Sequence, residues 1–87
     1  MRVNTIVEMY NGENFYIADE TLQNGVKYYL ANKVDENDEP TEESKIFKET
    51  LDGNDIYLDV VKDENELNYI TAIFLANFSN KLDEEGA

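Results

Sequence analysis

Apolar residues change their spacing once along this chain. As far as Val61 they alternate with polar ones in short runs separated by turn residues, and from Leu67 onward they recur every three or four positions. The first spacing is that of a strand with one face covered, and the second is that of an amphipathic helix. The gaps between the early runs are too short for the crossovers that join parallel strands, which take about a dozen residues or more. The expected fold class is therefore α+β: an antiparallel β-meander of four to five strands with one C-terminal helix packed on one face.

Turn residues divide the strands. Val3 to Tyr10 is β-rich and ends at Asn11-Gly12, a strong hairpin signal. A two-residue turn there would set Tyr10 opposite Glu13, Glu8 opposite Phe15 and Ile6 opposite Ile17. Glu13 to Ala18 is a second short strand, and Gln23-Asn24-Gly25 a second turn. Val26 to Asn32 alternates, with Val26, Tyr28 and Leu30 on one side and Lys27, Tyr29 and Ala31 on the other. Ser44 to Leu51 is anchored by Ile46 and Phe47. After the turn Asp52-Gly53-Asn54-Asp55, the strand Ile56 to Val61 directs Ile56, Leu58 and Val60 inward and Tyr57, Asp59 and Val61 outward. Between these strands Asp35 to Glu43 carries six carboxylates and the only proline, and no apolar residue, so it is expected as an exposed, mobile loop.

Asp63 followed by Glu66 has the spacing of an N-cap and capping box. A helix is expected from about Glu64 to about Asn80, with Leu67, Ile70, Phe74 and Phe78 as its apolar stripe and Tyr69, Ile73 and Ala76 broadening it. One domain should span 1–82, and 83–87 should be an acidic tail.

Twenty acidic and seven basic residues give a net charge of −13, with no histidine, cysteine or tryptophan. Disulfides and cysteine-based metal sites are excluded, as are nucleophilic arrangements that need His or Cys. No apolar run approaches the roughly 18 residues of a membrane span. The first five residues do not read as a signal peptide, so the expected location is a host cytosol or a virion. The charge repels nucleic acid and anionic membranes and favours basic partners, although it also serves plain solubility.

Several of these segments together are similar to a known family. Asn11-Gly12-Glu13-Asn14-Phe15, Gly25-Val26-Lys27-Tyr28-Tyr29-Leu30, the strand Lys45-Ile46-Phe47-Lys48 and the helix start Asp63-Glu64-Asn65-Glu66-Leu67 occur in order across about residues 5 to 80. In this the chain resembles the YrzB-like domain-of-unknown-function proteins, small acidic proteins of Gram-positive bacteria and their phages. It departs from them in lacking the tryptophan often found early in that helix. The resemblance implies a small non-catalytic protein and assigns no function.

The carboxylates do not form a known metal motif. Counted from Asp35, position six of an EF-hand loop is Pro40 and position twelve Ile46; counted from Asp63 they are Asn68 and Phe74. No catalytic, cofactor or metal residues are expected, and no enzymatic activity. The candidate partner-binding residues are Asp35, Asp38, Glu39, Glu42, Glu43, Glu49, Asp55, Tyr57 and Asp59. Outward carboxylates at Asp55 and Asp59, with Glu49 on the neighbouring strand, would form an anionic array. Such an array suits a basic, nucleic-acid-binding protein, with Tyr57 as an aromatic anchor and no direct contact to nucleic acid. An inhibitor of the DNA-mimic type is one form of this reading. The alternative is a structural or assembly accessory, such as a small virion component, that associates through a helix richer in apolar residues than one sheet face needs, with Leu75 and Tyr69 left outside.

Overall fold

Among residues 3–9 and 11–86, which the computed structural model describes, five strands precede one helix. They are β1 (Ile6–Glu8), β2 (Asn14–Gln23), β3 (Val26–Val34), β4 (Pro40–Asp52), β5 (Asp55–Val60) and α1 (Glu64–Gly86). Every neighbouring pair is antiparallel and the spatial order β1-β2-β3-β4-β5 repeats the chain order. The sheet is curled, so the α+β meander read from the residue pattern is the fold. Since Phe15 and Phe47 meet across β3 and Val7 and Leu58 of the outer strands join them without the helix, that face is the concave one and α1 packs on the other, convex face.

Curling gives the sheet two cores. On the concave side Phe15, Ile17, Tyr29, Ala31 and Phe47 are buried, and Val7 of β1, Leu58 of β5 and Val3 and Met9 on either side of β1 close over them. Phe15 and Phe47 meet edge to face, centroids 5.2 Å apart, although β3 lies between their strands. Ala31 on β3 is small enough to leave them that room. A register shift between Ile17 and Asp19 marks a bulge in β2, which adds local twist and bends the strand. On the convex side Tyr28, Ile46 and Val61 are buried under Ile70 and Phe74 of α1.

Turn chemistry sets the registers. Gln23 pairs with Val26 across Asn24 and Gly25, both at positive φ (53° and 79°), which is the backbone of a type I′ hairpin turn. Gly53 at φ 65° serves the β4–β5 turn, where Asp52 pairs with Asp55. The first hairpin differs from the expected one. Met9 N–H donates to Glu13 O and Gly12 N–H to Met9 O, so the loop is longer than two residues and the register moves by one. Ile6 then faces Tyr16, Val7 faces Phe15 and Glu8 faces Asn14. That slip puts Val7 rather than Ile6 in the core. The pairing expected for Tyr10 lies outside the described residues.

Three other expectations are corrected. β2 runs on through Asp19-Glu20-Thr21-Leu22-Gln23, because these residues pair with β3 whatever their polarity. The acidic loop is confined to 35–39, and Pro40 to Glu43 belong to β4. There Thr41 Oγ1 donates to Lys33 O at 2.8 Å and Asn32 Nδ2 to Thr41 O at 3.0 Å, tying the segment sideways to β3. The helix continues through 83–86 to Gly86, because no helix-breaking residue intervenes after Asn80; Ala87 lies outside the described residues.

Candidate functional site

The turn Asp35 to Glu39 is built by its first residue. Asp35 Oδ1 accepts from the N–H of Asn37 (2.8 Å) and of Glu39 (3.0 Å), while the Asp35 N–H donates to Glu39 O and the Asp38 N–H to Asp35 O. A side chain that satisfies its own backbone in this way favours a turn over helix or strand. Asp38 takes φ 60°, a conformation aspartate tolerates better than most residues. Asp35 is therefore committed internally, and Glu36, Asp38 and Glu39 are the exposed carboxylates of the turn. Glu42 and Glu43 follow, exposed on β4, with Glu43 3.9 Å from Lys33.

The expected partner-binding residues do not form one surface. β4 has 13 residues, so its two ends lie roughly 40 Å apart at about 3.3 Å per residue. The Asp35–Glu43 carboxylates crowd one end and Asp55 the other. That span is several times the Debye length of about 8 Å at physiological salt, so the two groups act separately on a partner. The expected array of Glu49 with Asp55 and Asp59 is also divided. Glu49 pairs with Leu58, which packs in the concave core, whereas Asp59 pairs with Lys48 and Tyr57 with Thr50 on the helix side. Asp59 accepts from Thr50 Oγ1 at 3.1 Å, and Tyr57 is half-buried on that same face. Glu49 instead accepts from the Tyr29 hydroxyl at 2.8 Å. Tyr29 faces away from the helix as expected, yet it is fully buried. Burial, then the hydrogen bond to Glu49, raises its hydroxyl pKa above the usual tyrosine range.

A second tyrosine anchors the helix. Tyr28 O–H donates to Glu66 Oε2 at 2.5 Å and Lys48 Nζ lies 3.4 Å from Glu66 Oε1. The bond to Glu66, reinforced by burial, pushes the Tyr28 pKa up to about 12. Asp63 Oδ2 accepts from the Glu66 N–H at 2.8 Å, as an N-cap should. The Glu66 carboxylate reaches the sheet instead of returning to the cap, so a capping-box spacing has become a docking contact. Tyr69 O–H adds a bond to Gln23 Oε1 at 3.2 Å.

The lysines are largely engaged within the molecule. Lys27 meets Glu20, Lys33 meets Glu13 and Glu43, and Lys48 meets Glu66. The Lys33 ammonium holds the Glu13 carboxyl below its ordinary pKa. Lys45 places its ammonium 5.8 Å from the Phe15 ring centroid. Among the described residues, Glu36, Asp38, Glu39, Glu42, Asp52 and Asp55 have no such partner. No group of three or more carboxylates among the described residues is placed to hold a metal ion.

One apolar surface remains beside the helix. An open trough of about 550 Å³ runs between α1 and the β4–β5 side of the sheet, with Leu30, Ile46, Val61, Leu67, Leu75 and Phe78 in its walls. Leu75 is 62% exposed, as its place outside the stripe implied. Phe78 was expected in the buried stripe and is 59% exposed. It stands above Leu67, since a separation of eleven residues makes about three turns at about 3.6 residues each. The angle is thus right, and the space beneath that side of the helix is unfilled. Ile56 and Val60, expected inward, are exposed on the edge strand, while Val61, expected outward, is buried beneath α1. Register explains the reversal: Val60 pairs with Phe47 and so lies on the concave side at the sheet edge, while Val61, the next residue, alternates to the helix side, its N–H donating to Ile46 O.

No family model, curated protein or solved structure matches the chain. The resemblance to the YrzB-like proteins therefore rests on the four sequence segments alone. No helix among the described residues is long and apolar enough to cross a membrane.

Proposed function

We propose that this protein is a non-enzymatic binding module that engages a basic protein partner, of the kind that itself handles nucleic acid, through the carboxylate-rich end formed by the β3–β4 turn and the start of β4. One observation carries the reading. Lys27, Lys33 and Lys48 are spent on internal ion pairs, while Glu36, Asp38 and Glu39 stand exposed on a turn organised by Asp35, with Glu42 exposed just beyond it on β4. Carboxylates held on an ordered turn lose less freedom on binding than those of a floppy tail, and their field steers a cationic surface into register. Asp55, Tyr57 and Asp59 form a lesser acidic face at the far end of β4, and Glu49 belongs to neither.

Association rates with a panel of basic nucleic-acid-binding proteins test this. Glu36→Lys, Glu39→Lys and Glu42→Lys together should slow association steeply at low salt and flatten its salt dependence. Reversing Asp55 and Asp59 to lysine should have the smaller effect. Association that ignores both salt and the first set of changes would exclude the proposal. A second reading, a structural accessory that assembles through its helix, draws on the exposure of Leu75 and Phe78.

A further inference from the structure

A five-stranded sheet at about 4.8 Å per strand is about 24 Å wide, whereas a helix with its side chains is about 10–12 Å across. One helix therefore covers about half of one sheet face. The concave face needs no helix, because the curl closes it with side chains from β1 and β5. On the convex face the uncovered part lies beside α1, above β4 and β5, and it is the apolar trough walled by Leu30, Ile46, Leu75 and Phe78.

We infer that this trough seats a helix of the partner, apolar on the side toward the sheet and bearing lysine or arginine along its flanks. The inference rests on the function proposed above for the sign of the partner's charge. The helical shape follows from the walls. Asn68, Thr71, Leu75 and Phe78 succeed one another at intervals of three and four along α1, which is the ridge against which a neighbouring helix packs at about 8–10 Å. The floor is the sheet itself, so the incoming helix completes a two-layer arrangement that α1 only half fills.

Charge selects the occupant. Glu42 lies two residues before Ser44 on β4, in the stretch where the pairing with β3 shifts register, and Glu64 stands one turn before Asn68 on the same stripe of α1; both are exposed. The trough thus runs between acidic ends. The Lys45 ammonium is on the opposite face, over Phe15. A second copy is the poorer occupant. Each copy carries −13, and matching two troughs would bring the Glu42 and Glu64 ends of both copies together.

The test uses a synthetic helix as probe: a leucine–lysine peptide of about 18 residues, about 27 Å long when helical, with its leucines at helical spacing. The control is the same peptide with glutamate in place of lysine. Affinities are measured at low and high salt for the parent protein, for Leu75→Ser with Phe78→Ser, and for Glu42→Lys with Glu64→Lys. Light scattering gives the oligomeric state of each. The parent should bind the lysine peptide and ignore the glutamate one. The trough pair should weaken binding at least about tenfold at both salt concentrations, as loss of central apolar anchors does. The acidic pair should weaken it chiefly at low salt. Both trough side chains are more than half exposed, so the fold should persist, and Phe78→Ser alone serves as a milder variant.

Undiminished binding by the trough variants, with loss in the acidic pair, would overturn the trough and leave the acidic reading standing. Loss in the trough variants with none in the acidic pair, or equal binding of the glutamate peptide, would overturn the basic partner in both readings. A parent dimer that the trough variants convert to monomer would make the second copy the occupant and overturn the inference.

Discussion

The two faces of the sheet bury tyrosines from adjacent positions of one strand, and they do so by different means. Tyr29 and Ala31 point to the concave side, where the curl, the β2 bulge and the outer strands seal Ile17, Phe15 and Phe47 without help from the helix. Tyr28 points to the convex side and depends on α1, which brings Ile70 and Phe74 as cover and Glu66 as the partner of its hydroxyl. A face closed by its own sheet is complete. A face closed by one helix on five strands is covered in part, and the remainder is the trough. Stability should thus concentrate on the concave side and binding on the convex side.

Truncation of the two cores is the strongest way to break this comparison. Phe47→Ala removes a ring held at 1% exposure on the closed side and should cost about 3–5 kcal/mol in urea unfolding. Phe74→Ala, whose ring also borders the open trough, should cost less, near the lower end of that range at about 3 kcal/mol, because the helix can settle into the space left. An equal or reversed order would remove the distinction between the faces.

Smaller changes sharpen it. Tyr28→Phe deletes the hydroxyl that donates to a charged carboxylate and should destabilise by about 1–2 kcal/mol, measured the same way. Alkaline titration gives the same contact a sign. An unfolded tyrosine ionises near pH 10, and folded Tyr28 resists to about 12, so the unfolded state loses its proton first as pH rises. The stability contributed is whole below about pH 10, declines above it and is gone beyond about 12. Tyr29 works in the same direction. Ultraviolet absorbance of tyrosinate should show late-titrating groups, one fewer after Tyr28→Phe. The smallest effect belongs to the trough rim. Leu75→Ser should shift stability by no more than about 0.5 kcal/mol, since its side chain is already mostly in water.

Much of the architecture is legible in the residues because local chemistry dictates it. Asn24-Gly25 admits the positive φ values of a tight hairpin, and Asp63 caps the helix it was expected to cap. What was not legible depends on contacts distant in sequence. Alternation separates Tyr28 from Tyr29 but says nothing of whether both sides are covered, and curling covers both. Polarity hid the second half of β2 and the first residues of β4, where pairing with β3 supplies the order that side chains do not. At the candidate site the acidic run was plain, whereas the separation of Glu49 from Asp59 is a matter of register. The trough escaped because Phe78 lies at a core angle, and only the width of the sheet leaves it unfilled.

Native-state hydrogen exchange of the free protein tests the contrast between the faces most directly. Amides of β2, β3 and β4 that back the concave core should exchange only through global unfolding, at the full stability of the domain. Amides of α1 beside the trough, around Leu75 and Phe78, should open locally and exchange much faster. Helix amides as slow as those of β3 would mean that the convex face is as complete as the concave one, and the account would be contradicted.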